Sequence, residues 1–520
     1  MTVVDPDLTA ATTVVTGAEL EAARRRDPFS RLPASLRFAL YGTIFVLILT
    51  AAEQITDQDR LTASNTWESA LKLTLPIALA GLGGLWSERA GIVNIGLEGM
   101  MILGTFFGAW GCIEFGPWQG VIIGMAGGAV GGLLHAIATV GFGVDHIVSG
   151  VAINILGAGF TQFLNFDWFD STNQSPRLPE VVGSIRIPGL HDLIGARLTG
   201  PSLLTWLAVI VVLLVAASIL LKPGRLLPSS PVTDIVRPVV RAVLGLLALL
   251  AVIDVAPYLD EQGRFGISEL GRIIQGITAE VSWIVVMGVV AFPLSAVILW
   301  RTKFGLRLRS VGEDPTAAES LGVNVYLMKV VATTVSGGLA GLGGVSLVYL
   351  FANQYRAGQT NGRGYIGLAA MIFGNWRPGG LALGAGLFGF TDTLSLLSGD
   401  ATHALLLVVA LGAGVMIAKA LFTIVWQVVS ALRAGGPRVD GRSVFADALW
   451  TAVVDRWRSV AVSVVGLLLA FGWFALVDEL PNEVVVFLPH LTTLLVLTFA
   501  SQRLRPPAAD GLPYRRGRSG

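Results

Sequence analysis

The chain contains 520 residues, of which 53% are hydrophobic and 14% charged, and its formal net charge is +1. A soluble domain carries roughly 25% charged residues, so this chain cannot cover its surface with charge and is expected to span a membrane. No basic cluster lies beside aromatic residues, which argues against nucleic acid as a partner. The single cysteine, Cys112, excludes an intrachain disulfide framework and a cysteine-based metal site.

Apolar runs along the chain predict an all-α fold. Residues 1–36 are polar, lack a cleavable signal and are expected to form a cytoplasmic N-terminal segment. The runs that follow predict a polytopic transmembrane helical bundle of about 12–14 spans, with discontinuous or re-entrant helices around a central translocation path. The candidate spans are 37–53, 67–86, 92–111, 119–140, 148–165, 203–221, 241–258, 278–300, 327–351, 380–398, 403–428, 460–477 and 484–501, with a short or re-entrant element at 366–375.

Lysine and arginine orient these spans, because loops rich in them stay in the cytoplasm. This rule places both termini in the cytoplasm, with the chain in the cytoplasmic membrane. The basic segments are 24–37, 222–241, 301–309, 433–458 and 503–518, and the segments placed outside are 54–66, 166–200, 259–276 and 478–483.

Composition also divides the chain into parts. Residues 37–430 are expected to form the main transmembrane domain, with an inserted segment at about 222–276. Residues 431–502 add a polar linker and an extra pair of transmembrane helices. Residues 503–520 form a basic tail that is expected to be disordered.

Glycine clusters inside apolar stretches predict close helix packing, because small residues let helix backbones approach each other in lipid. The clusters Gly127–Gly132 and Gly337–Gly344 are interpreted as such seams. Each contains Gly-Gly-x-x-Gly and precedes a loop and a small-residue helix. This is a weak indication of duplicated halves, and a chance match is the alternative.

The segment Ser87–Met101 places two carboxylates, an arginine and an asparagine between apolar stretches. A charge at the centre of a membrane helix costs roughly 2.5–3.5 kcal/mol on insertion scales, so such groups face protein or water. On a helix, Asn94 and Glu98 would share one face. The segment is either a discontinuous helix lining a translocation path or a capped helix start with Glu98 paired to another helix. The residues alone favour neither.

The segment Arg307–Asn324 lies in a loop that is placed in the cytoplasm. Asp314 followed by Pro315 predicts a helix start, because aspartate is a good N-cap and proline suits the first helical position. Glu319 and Gly322 predict a helix of about two turns. Such a short capped helix suits the docking of a soluble partner, although the residues alone favour an ordinary structured loop.

Both segments resemble motifs of ABC importer permeases of the branched-chain amino acid and simple-sugar group, and the nucleoside-type (guanosine and uridine) members most closely. Glu88–Met101 resembles their most recognisable motif, and Arg309–Val323 resembles the helix that couples them to the ATPase subunit. Gly364–Gly379 resembles a third motif of the same group. The resemblance covers roughly residues 65–430, and the inserted segment and the C-terminal extension depart from the family's compact pattern.

The resemblance implies a permease that imports a small-molecule substrate, with nucleosides preferred over sugars and branched-chain amino acids. The implied partners are a cytoplasmic ABC ATPase, a second and unlike permease subunit, an extracytoplasmic substrate-binding protein and membrane lipid. Carried over by position, the residues bordering the substrate path would be Asn94, Glu98, Asn154 and Asn375. The ATPase-coupling helix would comprise Gly312, Glu313, Asp314, Pro315, Ala317, Ala318 and Gly322.

No feature of the sequence predicts catalysis, a cofactor or a metal site. The 5 histidines are scattered, with no pair at ligand spacing. The phosphate-binding pattern Gly-x-x-x-x-Gly-Lys-Ser/Thr is absent, so the chain is not expected to hydrolyse ATP itself. An ion-coupled secondary transporter acting alone, with Glu98 binding the ion, is the alternative function.

Overall fold

The computed structural model of the chain describes residues 34–187, 231–261, 265–397, 399–434, 449–450, 452–454, 456–477, 487 and 504–514. Within these ranges the fold is almost entirely helical, which confirms the predicted all-α class. The candidate spans at 203–221 and 484–501 lie outside the described residues or almost so, and the span count therefore stays a prediction.

The helices follow one another with few other elements between them. In chain order they are α1 (Ala34–Thr56), α2 (Ser64–Glu88), α3 (Leu97–Phe115), α4 (Pro117–Ala136), α5 (His146–Phe169), α6 (Pro231–Glu261), α7 (Ile267–Thr278), α8 (Trp283–Arg301), α9 (Lys303–Glu313), α10 (Pro315–Ser320), α11 (Val325–Leu347), α12 (Arg363–Phe373), α13 (Pro378–Leu397), α14 (Gly399–Ala434) and α15 (Trp457–Leu476). Two short strands, β1 (Ser184–Ile185) and β2 (Val281–Ser282), pair antiparallel.

Many of these helices can cross a membrane. Among the described residues, 7 helices are long and apolar enough to do so, and three shorter apolar helices accompany them. One of the shorter helices is α12, whose 11 residues span only about 16 Å and cannot cross a bilayer alone. The chain is therefore a multi-pass membrane protein with at least one short helix of the kind predicted for 366–375. The spanning helices cover Ser64–Glu88, Pro117–Gly141, His146–Phe169, Val243–Glu261, Trp283–Arg301, Val325–Ala352 and His403–Val429.

The described chain separates into two compact units. One contains α1, most of α14 and α15, and within it the ring of His403 stacks on that of Phe474 at 4.7 Å. The other contains α2 to α13 and residues 504–514, and it holds all three motifs. The boundary that composition places at residue 430 falls inside α14, because an uninterrupted helix continues through it.

Glycines bring α4 and α11 into backbone contact. A Cβ on Gly128 would lie 2.3 Å from the carbonyl oxygen of Gly337, and a Cβ on Gly337 would lie 2.3 Å from that of Gly128. A third helix joins them, because a Cβ on Gly104 of α3 would lie 2.3 Å from the carbonyl oxygen of Gly341. Only glycine permits backbones this close. The predicted glycine seams are therefore confirmed.

The helices α4 and α11 also end alike. Each continues directly into a five-residue π-helical turn, Ile137–Gly141 after α4 and Val348–Ala352 after α11. Turns of this kind are rare in proteins. Together with the reciprocal contact of the two helices, this shared ending supports the interpretation of duplicated halves.

The helix α11 extends from one end of its unit to the other. Val325–Ala352, which includes the π-helical turn, contains 28 residues and therefore spans about 42 Å. At its far end, the loop after α5 is tied down by the N–H of Leu178, which donates to Asn353 O at 2.7 Å. At its near end lie α9 and α10. The described part of the loop placed outside at 166–200 and the basic segment 301–309 placed inside therefore lie at opposite ends of α11.

Residues Leu504–Tyr514, hereafter the C-terminal segment, lie at this near end. The segment contains a turn and contacts α9, α10 and α11. This differs from the disorder expected for the whole of 503–520. The physical reason is that the partners of this segment come from residues almost two hundred positions earlier in the chain, which local composition cannot reveal.

Candidate translocation and coupling sites

The segment Ser87–Met101 forms a break between two helices. The helix α2 ends at Glu88 and α3 begins at Leu97, so residues 89–96, hereafter the helix break, are not helical. Gly91 turns the chain there with φ of +78°, a left-handed conformation that glycine adopts without steric cost. The structure therefore agrees with the interpretation of this segment as a discontinuous helix.

Asn94 lies in the helix break and not on α3. It consequently shares no helical face with Glu98, and the prediction of a common face is wrong because the helix starts later than the spacing assumed. The amide is fully buried. Its Nδ2 donates to Ser336 Oγ at 2.9 Å, and its Oδ1 accepts the N–H of Gly96 at 3.1 Å. Since buried polar groups require such partners, Asn94 fastens the helix break to α11.

Glu98 holds the start of α12. Its Oε1 accepts the N–H of Gly362 at 2.9 Å, and its Oε2 accepts the N–H of Gly364 at 2.7 Å. These amides lie at a helix N-terminus, where the helix dipole favours a carboxylate. A Cβ on Gly364 would lie 2.6 Å from the backbone of Glu98, so only glycine allows this approach. The side chain is 7% exposed, and both of its oxygens are engaged by protein.

Asn154 connects α5 to the same place. Its Oδ1 accepts the N–H of Gly99 at 2.7 Å, and its Nδ2 donates to Ile95 O at 3.0 Å and to Tyr365 Oη at 2.8 Å. Tyr365 is 46% exposed. The amide and the phenol are therefore the part of this polar cluster that reaches the protein surface. Sequence reasoning missed Tyr365 as a site residue, although it opens the third motif directly after Gly364.

The segment Arg307–Asn324 contains the short capped helix that the sequence predicts. Asp314 Oδ1 accepts the N–H groups of Thr316 at 3.1 Å and Ala317 at 2.9 Å. Hydrogen bonds from Ala317 and Thr316 hold the pKa of Asp314 below its ordinary value. The helix α10 that follows has 6 residues, and the chain turns at Gly322 with φ of +81°. The predicted N-cap and short length are confirmed.

One face of α10 is packed and the other is open. Ala318 lies with Val311 and Val325 in a small apolar cluster, which seats the helix on its own unit. Ala317 is exposed, and Leu321 is 85% exposed. The residues Gly312–Gly322, hereafter the coupling element after the role predicted for them, thus present a partly apolar exposed face.

Arg89 connects the three motifs. Its Nη2 donates to Trp376 O at 2.7 Å, and its guanidinium lies 3.9 Å from the carboxylate of Glu313. Trp376 in turn donates from Nε1 to Glu88 Oε2 at 2.6 Å. A Cβ on Gly312 would lie 2.3 Å from the carbonyl oxygen of Arg89. The coupling element therefore lies directly on the helix break.

Asn375 lies with the coupling element and apart from the other residues predicted for the path. Its Oδ1 accepts the N–H of Arg505 in the C-terminal segment at 2.8 Å. Asn94, Glu98 and Asn154 gather instead around the starts of α3 and α12. The separation follows from α12 itself, whose 11 residues place its two ends about 16 Å apart.

The described ranges contain no group of three or more histidine, cysteine, aspartate or glutamate side chains that could hold a metal ion. One buried histidine is engaged by protein on both ring nitrogens. His135 Nδ1 lies 2.8 Å from Ser149 Oγ, and its Nε2 lies 3.1 Å from Val93 O. This histidine therefore connects α4 to α5 and to the helix break.

Comparisons with known proteins agree with this geometry. The family model described as "Branched-chain amino acid transport system / permease component" matches residues 67–226 and 236–420. The chain is 32% identical over 337 residues to the guanosine ABC transporter permease of Bacillus subtilis, covering 63% of this chain and 81% of that protein. It is 30% identical over 332 residues to a nucleoside ABC transporter permease of Lactococcus lactis, with coverage of 62% and 80%.

A third relative carries a different substrate name. The chain is 28% identical over 345 residues to a proposed glucose ABC transporter permease of Haloferax volcanii, covering 66% of this chain and 80% of that protein. No solved structure matches the chain. The family match contains all three motifs and most of the segment expected to be an insertion, but it leaves out α1, α15 and the C-terminal segment. The chain belongs to the permease family of the branched-chain amino acid transport systems.

Proposed function

We propose that this chain is the membrane permease subunit of an ABC importer that moves nucleosides into the cell. The observation that carries the proposal is the coupling element, in which the end of α9 packs directly on the helix break and the capped helix α10 that follows has one open face. Such a surface lets a separate ATPase act on the membrane helices. Two of the relatives named above are guanosine and nucleoside permeases, which supports nucleosides ahead of sugars.

The other components of the importer follow from this role. A cytoplasmic ABC ATPase docks on the coupling element, so that end of the unit faces the cytoplasm together with the C-terminal segment. A second and unlike permease subunit completes the translocation path, because the Glu-Arg-Ala-Gly start of the first motif, Glu88–Gly91, resembles one of the two unlike permeases found together in nucleoside systems. An extracytoplasmic binding protein delivers the substrate to the opposite end.

Within this proposal, Asn154 and Tyr365 contact the substrate. An amide and a phenol supply donors and acceptors for the hydroxyl groups and base edges of a nucleoside, and the phenol ring can stack on the base. Asn94 and Glu98 act through them, because both are buried and hold the starts of α3 and α12 in place. Asn375 acts at the coupling end, beside the C-terminal segment.

The alternative of an ion-coupled transporter has less support from this geometry. A carboxylate that binds a coupling ion must be within reach of that ion, whereas Glu98 is 7% exposed and accepts a backbone N–H of the start of α12 on each oxygen. Uptake that stops when ion gradients are dissipated while ATP is maintained would favour that alternative.

The proposal is tested by uptake of radiolabelled guanosine, uridine and ribose into cells with and without this gene. Nucleoside uptake should be lost and ribose uptake should persist. In the same cells, Ala317→Trp should abolish nucleoside uptake by obstructing the open face of α10, and the matched control Ala317→Ser should retain it. Loss of ribose uptake alone would mean that the permease imports a sugar and not a nucleoside. Unchanged uptake of all three compounds would refute the proposed function.

A further inference from the structure

The C-terminal segment lies against the flank of the coupling element. The N–H of Ala509 donates to Gly312 O at 2.9 Å, and the N–H of Ala508 donates to Glu313 Oε2 at 3.2 Å. Further along the segment, Tyr514 Oη donates to the carboxylate of Glu319. Both ends of the coupling element therefore receive hydrogen bonds from this one segment.

Apolar contacts accompany these hydrogen bonds. The Tyr514 ring packs beside Tyr326 at 5.5 Å between centroids and against the cluster of Val311, Ala318 and Val325 that seats α10. Pro507 and Ala509 are buried. The segment is held in a defined position, because burial of its apolar residues and the hydrogen bonds of its backbone N–H groups both favour packing.

A half-buried carboxyl group extends the contact toward the membrane helices. Asp510 faces the ammonium group of Lys329 on α11, the carboxyl group of Glu88 at the end of α2 and the guanidinium of Arg89 in the helix break. Ala509 covers Gly91, since a Cβ on Gly91 would lie 3.0 Å from Ala509 O. The segment therefore touches α2, the helix break, α9, α10 and α11 together.

The position of the C-terminal segment shows whether it holds the coupling element in place or blocks its open face. It contacts the inner flank of the coupling element and leaves Ala317 and Leu321 exposed on the open face. A covering segment would lie over those two residues and exclude a soluble partner. The contacts instead hold α10 against α9 and α11, and α9 packs so closely on the helix break that a Cβ on Gly312 would lie 2.3 Å from Arg89 O.

We propose that the C-terminal segment braces the coupling element and is needed for the ATPase subunit to dock productively. This inference rests on the proposed function for the identity of the partner, and on the contacts above for the brace itself. Without the brace, α10 samples positions in which its open face is wrongly placed. The apparent affinity of docking then falls in proportion to the fraction of correctly placed helices.

Two truncations test the proposal. A stop codon after residue 503 removes the C-terminal segment, and a stop codon after Tyr514 is the matched control that keeps it. In purified full-length and truncated chains, hydrogen–deuterium exchange of residues 315–325 should rise about tenfold on removal of the segment and stay unchanged in the control. In cells, guanosine uptake should fall about tenfold on removal of the segment, because docking-competent helices become rare, and the control should match the full chain.

Each result supports or overturns a defined part of the proposal. Unchanged exchange after removal of the segment overturns the brace. Raised exchange with unchanged uptake overturns its role in docking, and increased uptake shows that the segment inhibits instead. If the longer truncation fails to fold, Tyr514→Phe removes only the hydroxyl bonded to Glu319, and exchange in α10 should still rise. If the full chain takes up no nucleoside, the proposed substrate fails while the exchange result still decides the brace.

Discussion

Replacing Glu98 with glutamine tests whether its carboxylate anchors α12 or contacts the substrate. Glutamine has nearly the same shape, but its NH2 group would face one of the backbone N–H groups of Gly362 and Gly364 that the carboxylate now accepts. A hydrogen bond to a charged group contributes about 1.5–3 kcal/mol, and a buried donor without a partner costs about 1–3 kcal/mol. We expect Glu98→Gln to lower the free energy of unfolding by about 2–4 kcal/mol.

Thermal unfolding of the purified protein, followed by tryptophan fluorescence, measures this loss. With about 2–4 °C per kcal/mol for domains of moderate size, Tm should fall by about 4–16 °C. Glu114→Gln is the matched control, because Glu114 is exposed on the same helix and its replacement should change stability by less than about 0.5 kcal/mol. In uptake assays, Glu98→Gln should lower the maximal rate without changing the guanosine concentration that gives half-maximal uptake.

The opposite pattern would refute this reasoning. If Glu98→Gln left Tm unchanged and raised the half-saturating concentration about tenfold, a difference of about 1.4 kcal/mol in binding, the carboxylate would be a substrate contact. The two backbone N–H groups of α12 would then have to find other partners.

Gly337→Ala should lower the free energy of unfolding by about 1–3 kcal/mol through overpacking, because its Cβ would lie 2.3 Å from a carbonyl oxygen of α4; thermal unfolding beside Gly386→Ala, which has open space, measures this. Tyr365→Phe removes the hydroxyl proposed to bond the substrate, a hydrogen bond of about 1 kcal/mol, and should raise the half-saturating guanosine concentration about fivefold. Because Asn154 Nδ2 keeps Ile95 O as a partner, Tm should fall by no more than about 4 °C. Burial raises the pKa of Asp510 to about 6, against the lowering effects of its hydrogen bond with Glu88 and of the Lys329 ammonium group. The packed C-terminal segment therefore holds a proton that the free segment releases, so its packing should weaken as pH rises from about 4 to about 6, which hydrogen exchange corrected for intrinsic rates at several pH values can follow.

Residue type alone was sufficient to predict several parts of the fold. Long apolar runs identify membrane helices because hydrocarbon offers backbone groups no other partner. The glycine seams were also predictable, because a glycine inside an apolar run lets two helix backbones approach more closely than a larger residue would allow. Asp314 and Pro315 marked the start of α10 because capping is a local interaction. In each case the determining contact lies within a few residues, or follows from composition.

Long-range contacts account for what the sequence did not reveal. The helix break places Asn94 off α3 because Ser336, on a helix far along the chain, accepts its amide. Asn375 carries the same side chain as Asn154 but lies at the other end of α12, and nothing in its local sequence distinguishes the two positions. The C-terminal segment contains three prolines, which is typical of disorder, yet it forms hydrogen bonds with Glu313 and Glu319.

The two parts of the first motif, Glu88–Met101, contact different elements of the fold. Its first part, Glu88 to Gly91, meets the coupling element and the end of α12, where a compact turn must carry charge and admit Gly312. Its second part, from Asn94 onward, fastens the starts of α3 and α12 beside Asn154. Because only the few residues of the helix break lie between them, the packing of α9 on Arg89 and the packing around Glu98 share one short stretch of backbone. A change at either end therefore acts on the other through covalent connection as well as through side-chain contact.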